Sequence, residues 1–203
     1  MIHNSDYLAF IESTEKQTCD PWRTYAQVKN YPVIEESALN FLETWARLTR
    51  PTTILELGCG YGLMSARLLA LLPEMKLTGI DYNSENYAVF KQLEKNETRC
   101  DRFTFKCGNV IDLLPKFEEK FDWVIVDVDK KFYPEVADVI SEKVKTGGYL
   151  IADNVLWKGW VAVAGERKNP EPIRKWNELL FRNQNYETLL LQVGDGLSIS
   201  RKL

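Results

Sequence analysis

The sequence predicts an α/β protein built on a mostly parallel sheet with helices on both faces. Three observations lead there. Strand-like and helix-like segments alternate from residue 52 onward, which is the signature of βαβ units. The run 121–130, Phe-Asp-Trp-Val-Ile-Val-Asp-Val-Asp-Lys, is apolar from Trp123 to Val126 and then stops on charge, as a strand buried on both faces does at its functional end. The last two strand signals are joined by Gly194-Asp195-Gly196 with no helix between them, so the final strand is expected to run antiparallel. The expected total is seven strands.

Taken in order, residues 4–17 carry a helical apolar stripe of Tyr7, Leu8, Phe10 and Ile11. Cys19 to Pro32 is expected to be irregular, with Pro21 and Pro32 as breakers and Trp22, Tyr25 and Tyr31 as aromatics. Glu35–Thr49 places Ala38, Leu39, Leu42, Trp45, Ala46 and Leu48 at helical spacing. Then follow strand Thr52–Leu57, helix Gly62–Leu72 and strand Lys76–Asp81. Ser84 is expected to cap a helix reaching Asn96. Strand Arg102–Cys107 comes next, then a short helix Val110–Lys116 interrupted by Pro115, and the strand ending at Asp127. Pro134–Lys145 is expected as a helix closed by Gly147-Gly148. Strand Tyr149–Ala152, an irregular loop over 156–170, helix Ile173–Asn183 and strands Tyr186–Val193 and Leu197–Arg201 complete the chain. One domain is expected over 1–203, with 1–50 as a helical, substrate-side segment and 51–203 as the core.

Composition narrows the function classes. The 203 residues are 45% hydrophobic with a net charge of −3, which excludes a disordered chain and gives no broad nucleic-acid-binding face. His3 is the one histidine, so a zinc site or a His-based catalytic dyad is not expected. The four cysteines lack metal-ligand spacing. No apolar run approaches the ~20 residues of a membrane span, and the first residues do not read as a signal peptide, so a cytoplasmic location is expected.

The strand Ile54–Leu57 runs into Gly58, Gly60 and Gly62, a turn that lets backbone approach a ligand closely. The dinucleotide fingerprint G-x-G-x-x-G fails because Leu63 stands at its third glycine. Asp81, followed by Tyr82, ends the next strand, where an acid can accept ribose hydroxyls. A nucleoside without a pyrophosphate fits this layout, and S-adenosylmethionine is the expected cofactor. Asp153-Asn154 ends the strand after Asp127. If these strands are neighbours, Asp127, Asp153 and Asn154 offer three oxygen ligands, a set suited to Mg²⁺, Mn²⁺ or Ca²⁺.

These pieces together resemble the metal-dependent class I S-adenosylmethionine O-methyltransferases, a Rossmann-like family that includes catechol and caffeoyl-CoA O-methyltransferases and related bacterial enzymes. The resemblance rests on Glu56-Leu-Gly-Cys-Gly-Tyr-Gly62, Ile80-Asp81, Asp127-Val-Asp-Lys130 with Tyr133, and Gly147-Gly148. It continues through Asp153-Asn-Val-Leu-Trp-Lys-Gly159, Ile173-Arg-Lys-Trp-Asn177 and Gly194-Asp-Gly-Leu197. It implies Asp127, Asp153 and Asn154 as metal ligands and Lys130 as general base. It implies cofactor contacts at Glu56, Gly58, Cys59, Gly60, Gly62, Asp81, Tyr82, Asn109, Val110, Asp127 and Asp129, with Gly108 beside the adenine. Trp157 and Lys158 fall on the substrate side. Two departures stand out: Gly62-Leu63-Met64 replaces Gly-Tyr-Ser, with Ser65 following, and Asn109 stands where an Asp is common.

The expected reaction is methylation of one hydroxyl of a small catechol-like diol by a homodimeric enzyme, with Lys130 depressed in pKa to serve as base. The loop 156–170 is a candidate lid. Trp22, Tyr25, Tyr31, Trp157 and Trp160 are candidate acceptor walls. Methylation of a hydroxylated tRNA base of the 5-hydroxyuridine type is the alternative, helped by a local patch of Lys158, Arg167 and Lys168. A non-catalytic cofactor-binding module is the third reading.

Overall fold

The computed structural model describes residues 20–163 and 170–203; the expected helix over 4–17 and part of the 156–170 loop lie outside them. The chain divides into two units, Met1–Pro32 and Val33–Leu203. In the first, Pro21–Lys29 is a helix, α1, where an irregular stretch was expected. The reason is positional. Pro21 occupies the first helical turn, where its missing N–H costs nothing, and the Asp20 side chain accepts from Trp22 N at 2.9 Å as an N-cap. Asn30 ends the helix in the left-handed region at φ 49°.

The second unit opens with α2 (Glu36–Thr49), which buries Ala38, Leu39, Leu42 and Ala46. The elements then run β1 (Thr53–Leu57), α3 (Leu63–Leu71), β2 (Lys76–Asp81), α4 (Glu85–Leu93), α5 (Glu97–Cys100), β3 (Phe103–Cys107), α6 (Val110–Leu113), β4 (Phe121–Val126), α7 (Tyr133–Lys143), β5 (Val144–Ala152), α8 (Glu171–Arg182), β6 (Tyr186–Leu191) and β7 (Leu197–Lys202). Among the described residues the strands form one seven-stranded sheet in the order β3-β2-β1-β4-β5-β7-β6. All pairs are parallel except those of β7, which is antiparallel to both β5 and β6. The Rossmann-like arrangement and its reversed last strand are as expected. The order reverses between β1 and β4, so their carboxyl ends flank the switch-point crevice where α/β sheets take ligands.

Two local expectations fail for identifiable reasons. Gly147-Gly148 does not close a helix. α7 ends at Lys143, and the glycines lie inside β5, opposite a register shift between Phe121 and Trp123. A Cβ on Gly148 would come within 2.7 Å of the Asp122 carbonyl oxygen, so the strand passes there only because the side chain is missing. Ser84 makes no side-chain cap bond to α4; the Asn83 side chain accepts from Glu85 N instead, at 3.0 Å, and the helix stops at Leu93.

At the amino end of the sheet a single carboxylate ties three strand starts together. Asp122 Oδ2 accepts from Thr52 N at 2.9 Å, Thr52 Oγ1 at 2.7 Å and Thr53 N at 2.9 Å, while Lys145 Nζ donates to Oδ1 at 2.8 Å. Burial opposes its charge, but the bonds from Lys145, Thr52 and Thr53 prevail and hold it below the usual carboxylate range. This clamp leaves the other end of the same strands free to carry ligands.

Candidate active site

The switch-point crevice is built from the carboxyl ends of β1, β2, β4 and β5. β4 and β5 pair with Val126 opposite Ala152, so the next residues, Asp127 and Asp153, emerge side by side. Asp153 N donates to Val126 O at 3.1 Å and Asp127 N to Leu57 O at 2.9 Å, continuing the ladder one residue past each strand. Asn154 follows in the left-handed region at φ 57°, with its N–H on Asp153 Oδ1 at 2.8 Å. Burial first, then the neighbouring Asp127 charge, pushes the Asp153 carboxyl up to about 7.

Lys130 leans back over this edge from a short 3₁₀ turn. Its Nζ donates to Asp127 Oδ1 at 2.9 Å and to Tyr133 Oη at 3.1 Å. Burial alone would lower its pKa, but the Tyr133 and Asp127 partners outweigh burial and the ammonium is stabilised. The expected depression is thus absent among the chain's own groups. Asp129, expected as a cofactor contact, caps the turn: it accepts from Lys131 N at 3.3 Å and pairs with Lys131 Nζ at 3.2 Å.

On the β1–β2 side, Gly58, Gly60 and Gly62 all have positive φ. Glu56 lies beneath them, 2% exposed, and Ser65 Oγ donates to its Oε2. Burial raises Glu56 to about 8 despite that bond, with Asp127 and Asp81 adding in the same direction. Asp81 is buried and already engaged: Oδ2 accepts from Gly60 N at 2.9 Å, and Oδ1 from Asn83 N at 2.9 Å and Asn86 Nδ2 at 3.0 Å. A carboxylate has about four lone-pair sites, so a ribose hydroxyl can still bind. Tyr82 beside it is 84% exposed, a flat face with no cover from the described residues. Asn109 caps α6 by accepting from Ile111 N at 3.0 Å, and Val110 is buried beneath it. Cys59 is buried in the loop, and burial pushes its thiol up, which makes it a packing group rather than a nucleophile.

After Asn154 the chain turns through Trp157 and Lys158 at φ 42° and 53°, strained values for side-chain-bearing residues. The segment is nailed down from three directions. Lys158 N donates to Asp195 Oδ1, Asn177 Nδ2 to Val155 O at 2.9 Å, and Arg174 Nε to Val161 O at 2.9 Å. Trp157 packs partly against the core, while Lys158 is exposed. Sequence reasoning missed the roles of Arg174, Asn177 and Asp195, although all three sit inside stretches it singled out. It also missed Ser65 as the partner of Glu56. Ser65, nine residues on, is brought back over Glu56 by the glycine turn and the first turn of α3.

Residues 13–203 match the O-methyltransferase family. The chain belongs to that family. This O-methyltransferase is 29% identical over 181 residues to caffeoyl-CoA O-methyltransferase 1 of Eucalyptus globulus, a match spanning 80% of this chain and 72% of the relative. Its fold is that of the O-methyltransferase of Bacillus cereus, solved with S-adenosylhomocysteine (TM-score 0.82, 18% identity, 96% of each chain). It is also that of TomG from Streptomyces achromogenes, solved with S-adenosylmethionine (TM-score 0.82, 19% identity, 100% of this chain and 99% of TomG). The enzyme is thus an S-adenosylmethionine-dependent O-methyltransferase, and the non-catalytic reading falls away. Among the described residues, no helix is long and apolar enough to cross a membrane.

The Glu56 environment makes stability depend on pH. Its folded pKa of about 8 lies above the ordinary 4.5, so the native state holds a proton that the unfolded chain releases. That stability is fully present below about pH 4.5 and is lost as pH rises through 8, at about 1.4 kcal/mol per unit. Urea unfolding at pH 5, 6.5, 8 and 9 should show the fall, and Glu56→Gln should reduce it, leaving the part that the raised Asp153 carboxyl contributes up to about pH 7.

Proposed function

We propose that the enzyme methylates one hydroxyl of a vicinal diol on a small aromatic acceptor, with Lys130 as the base and a divalent cation, Mg²⁺ first, at Asp127, Asp153 and Asn154. The observation that carries this is the convergence of Lys130, Asp127 and Asp153 on the adjoining ends of β4 and β5. The donor set suits such a cation: two carboxylates, Asp153 raised by burial and then by the Asp127 charge beside it, an amide, and no sulfur or imidazole. Among the described residues no group of three His, Cys, Asp or Glu could hold a metal, and the proposed set completes two acids with an asparagine. When bound, the cation raises the acidity of two neighbouring hydroxyls and disfavours a second positive charge on Lys130. The caffeoyl group for which the plant relatives are named ends in such a diol.

The cofactor fits the other half of the crevice. S-adenosylmethionine supplies a methyl on a cationic sulfur, and the buried carboxyls Glu56 and Asp81 flank the glycine turn where its charged and ribose ends would lie. Glu56 and the turn bind and orient; Asp81 receives the ribose; Lys130 Nζ takes the proton from the acceptor hydroxyl. Trp157 and Lys158, in the segment that Asp195 holds at Lys158 N and Arg174 at Val161 O, border the acceptor side. Much of the acceleration comes from orientation, which accounts for ~7–11 kcal/mol in well-aligned systems.

The test is transfer of labelled methyl from S-adenosylmethionine to a panel of catechols and to tRNA, each with Mg²⁺ and with EDTA. Labelling of a catechol that disappears with EDTA and returns with Mg²⁺ is the expected result. Undiminished transfer in EDTA would remove the cation, and label on tRNA alone would replace the acceptor.

A further inference from the structure

Tyr133 is fully buried, yet its hydroxyl is among the most connected polar atoms of the site. It donates toward two carbonyls, Asp153 O at 2.8 Å and Val126 O at 3.1 Å, and accepts from Lys130 Nζ at 3.1 Å. Those carbonyls belong to the ends of β5 and β4, the two strands that present Asp153 and Asp127. The ring is locked as well, edge-on to the fully buried Trp176 with centroids 5.1 Å apart.

A phenol has one proton. Here it is committed to the strand-end carbonyls, so toward Lys130 the oxygen can only accept. Asp127 Oδ1, at 2.9 Å from Nζ, is likewise an acceptor. Two of the nitrogen's bonding directions are therefore taken by groups that require it to donate. The direction left over is set by the fold rather than by rotation of a flexible four-carbon stem.

We propose that Tyr133 is a positioning residue for methyl transfer: its carbonyl-locked hydroxyl holds Lys130 Nζ in one orientation toward the acceptor hydroxyl and couples that orientation to the β4 and β5 ends carrying Asp127 and Asp153. The inference rests on Lys130 being the base. It gives Tyr133, which lies three residues on from Lys130, a function besides packing.

Tyr133→Phe keeps the ring and its contact with Trp176 and removes only the hydroxyl. Val126 O keeps its bond from Asp153 N, so the strand ends stay joined. The expected result is a fall in kcat on the order of 10- to 100-fold, the scale of a misplaced catalytic group. KM for S-adenosylmethionine and the calorimetric affinity for S-adenosylhomocysteine should change less than about twofold. The decisive measurement is a double-mutant cycle with Lys130→Met, since two residues acting as one unit are non-additive. In the Lys130→Met background, Tyr133→Phe should cost nothing further. An equal loss in both backgrounds, or a loss confined to cofactor affinity and Tm, would assign Tyr133 a structural role and overturn the proposal. Full activity in Lys130→Met alone would instead remove the base itself, an outcome the cycle reads separately.

Discussion

Replacing Lys130 by methionine should reduce kcat by on the order of 10²- to 10⁴-fold and leave cofactor binding unchanged. The range is that of a single positioned acid–base group. Methionine keeps most of the stem and removes the nitrogen, which lies 5.0 Å from the centroid of the Tyr133 ring. What is lost is the nitrogen between Asp127 and Tyr133. Asp127 then lacks its cationic partner, which makes the edge more negative and should, if anything, draw a divalent cation more strongly. A variant with weakened Mg²⁺ dependence would therefore contradict the role given to Asp127. Single-turnover transfer of labelled methyl isolates the chemical step, and titration with S-adenosylhomocysteine checks the cofactor half. A loss below about tenfold would return Lys130 to the status of a salt-bridge partner.

Much of the fold was legible because each element announced itself by its own period. The Trp123–Val126 run and the Ile54–Leu57 run are continuous apolar segments, as buried parallel strands must be. The helixless connection at 194–196 gave the reversal of β7. What escaped was punctuation with two meanings. Gly147-Gly148 looks like a helix stop, and Pro21 looks like a breaker. Which meaning applies depends on the Asp122 carbonyl across the sheet and on the Asp20 cap, one of them set by tertiary contact.

The site divides along a similar line. The positions of Asp81, Asp127 and Asp153 were legible because topology fixes where strand ends go. Bonds made through other residues were not, even where the residue itself, Ser65 or Tyr133, had been named. Ser65, Asn86 and Tyr133 reach their partners across a turn or down a helix, and residue type alone does not say to what a buried hydroxyl bonds. Charge states were equally out of reach. Burial was foreseen as lowering Lys130, but Asp127 and Tyr133 reverse the sign, and the elevation of Glu56 comes from the depth of β1.

Gly58→Ala should be the most damaging single-methyl change in the crevice, because it strikes the cofactor turn and the Asp127 edge together. Gly58 has φ 85°, and a Cβ there would lie 2.3 Å from the Asp127 carbonyl oxygen and 2.8 Å from its carbon. Both are backbone atoms, so no rotamer change relieves the overlap. Nor can the turn retreat freely. Gly58 N is bonded to Ile80 O at 2.8 Å, and Leu57 O accepts from Asp127 N at 2.9 Å. Relief requires the ends of β1 and β4 to part, which separates Glu56 and the glycine turn from Asp127. Gly147→Ala is the internal control. Its φ is 79°, but a Cβ there meets nothing within 4 Å, so it carries only the left-handed strain of ~1–2 kcal/mol. Gly58→Ala adds an overpacking cost of ~1–3 kcal/mol or more. For a chain of this size the two costs together lower Tm by on the order of 10 °C. Affinity for S-adenosylhomocysteine should fall more than about tenfold in Gly58→Ala, since a displacement of even ~1 Å at the turn disturbs every group aligned on it, and stay unchanged in Gly147→Ala. If the two variants melt and bind alike, the β1–β4 seam yields to a methyl group, and the close approach of the turn to Asp127 is not what aligns the two halves of the site.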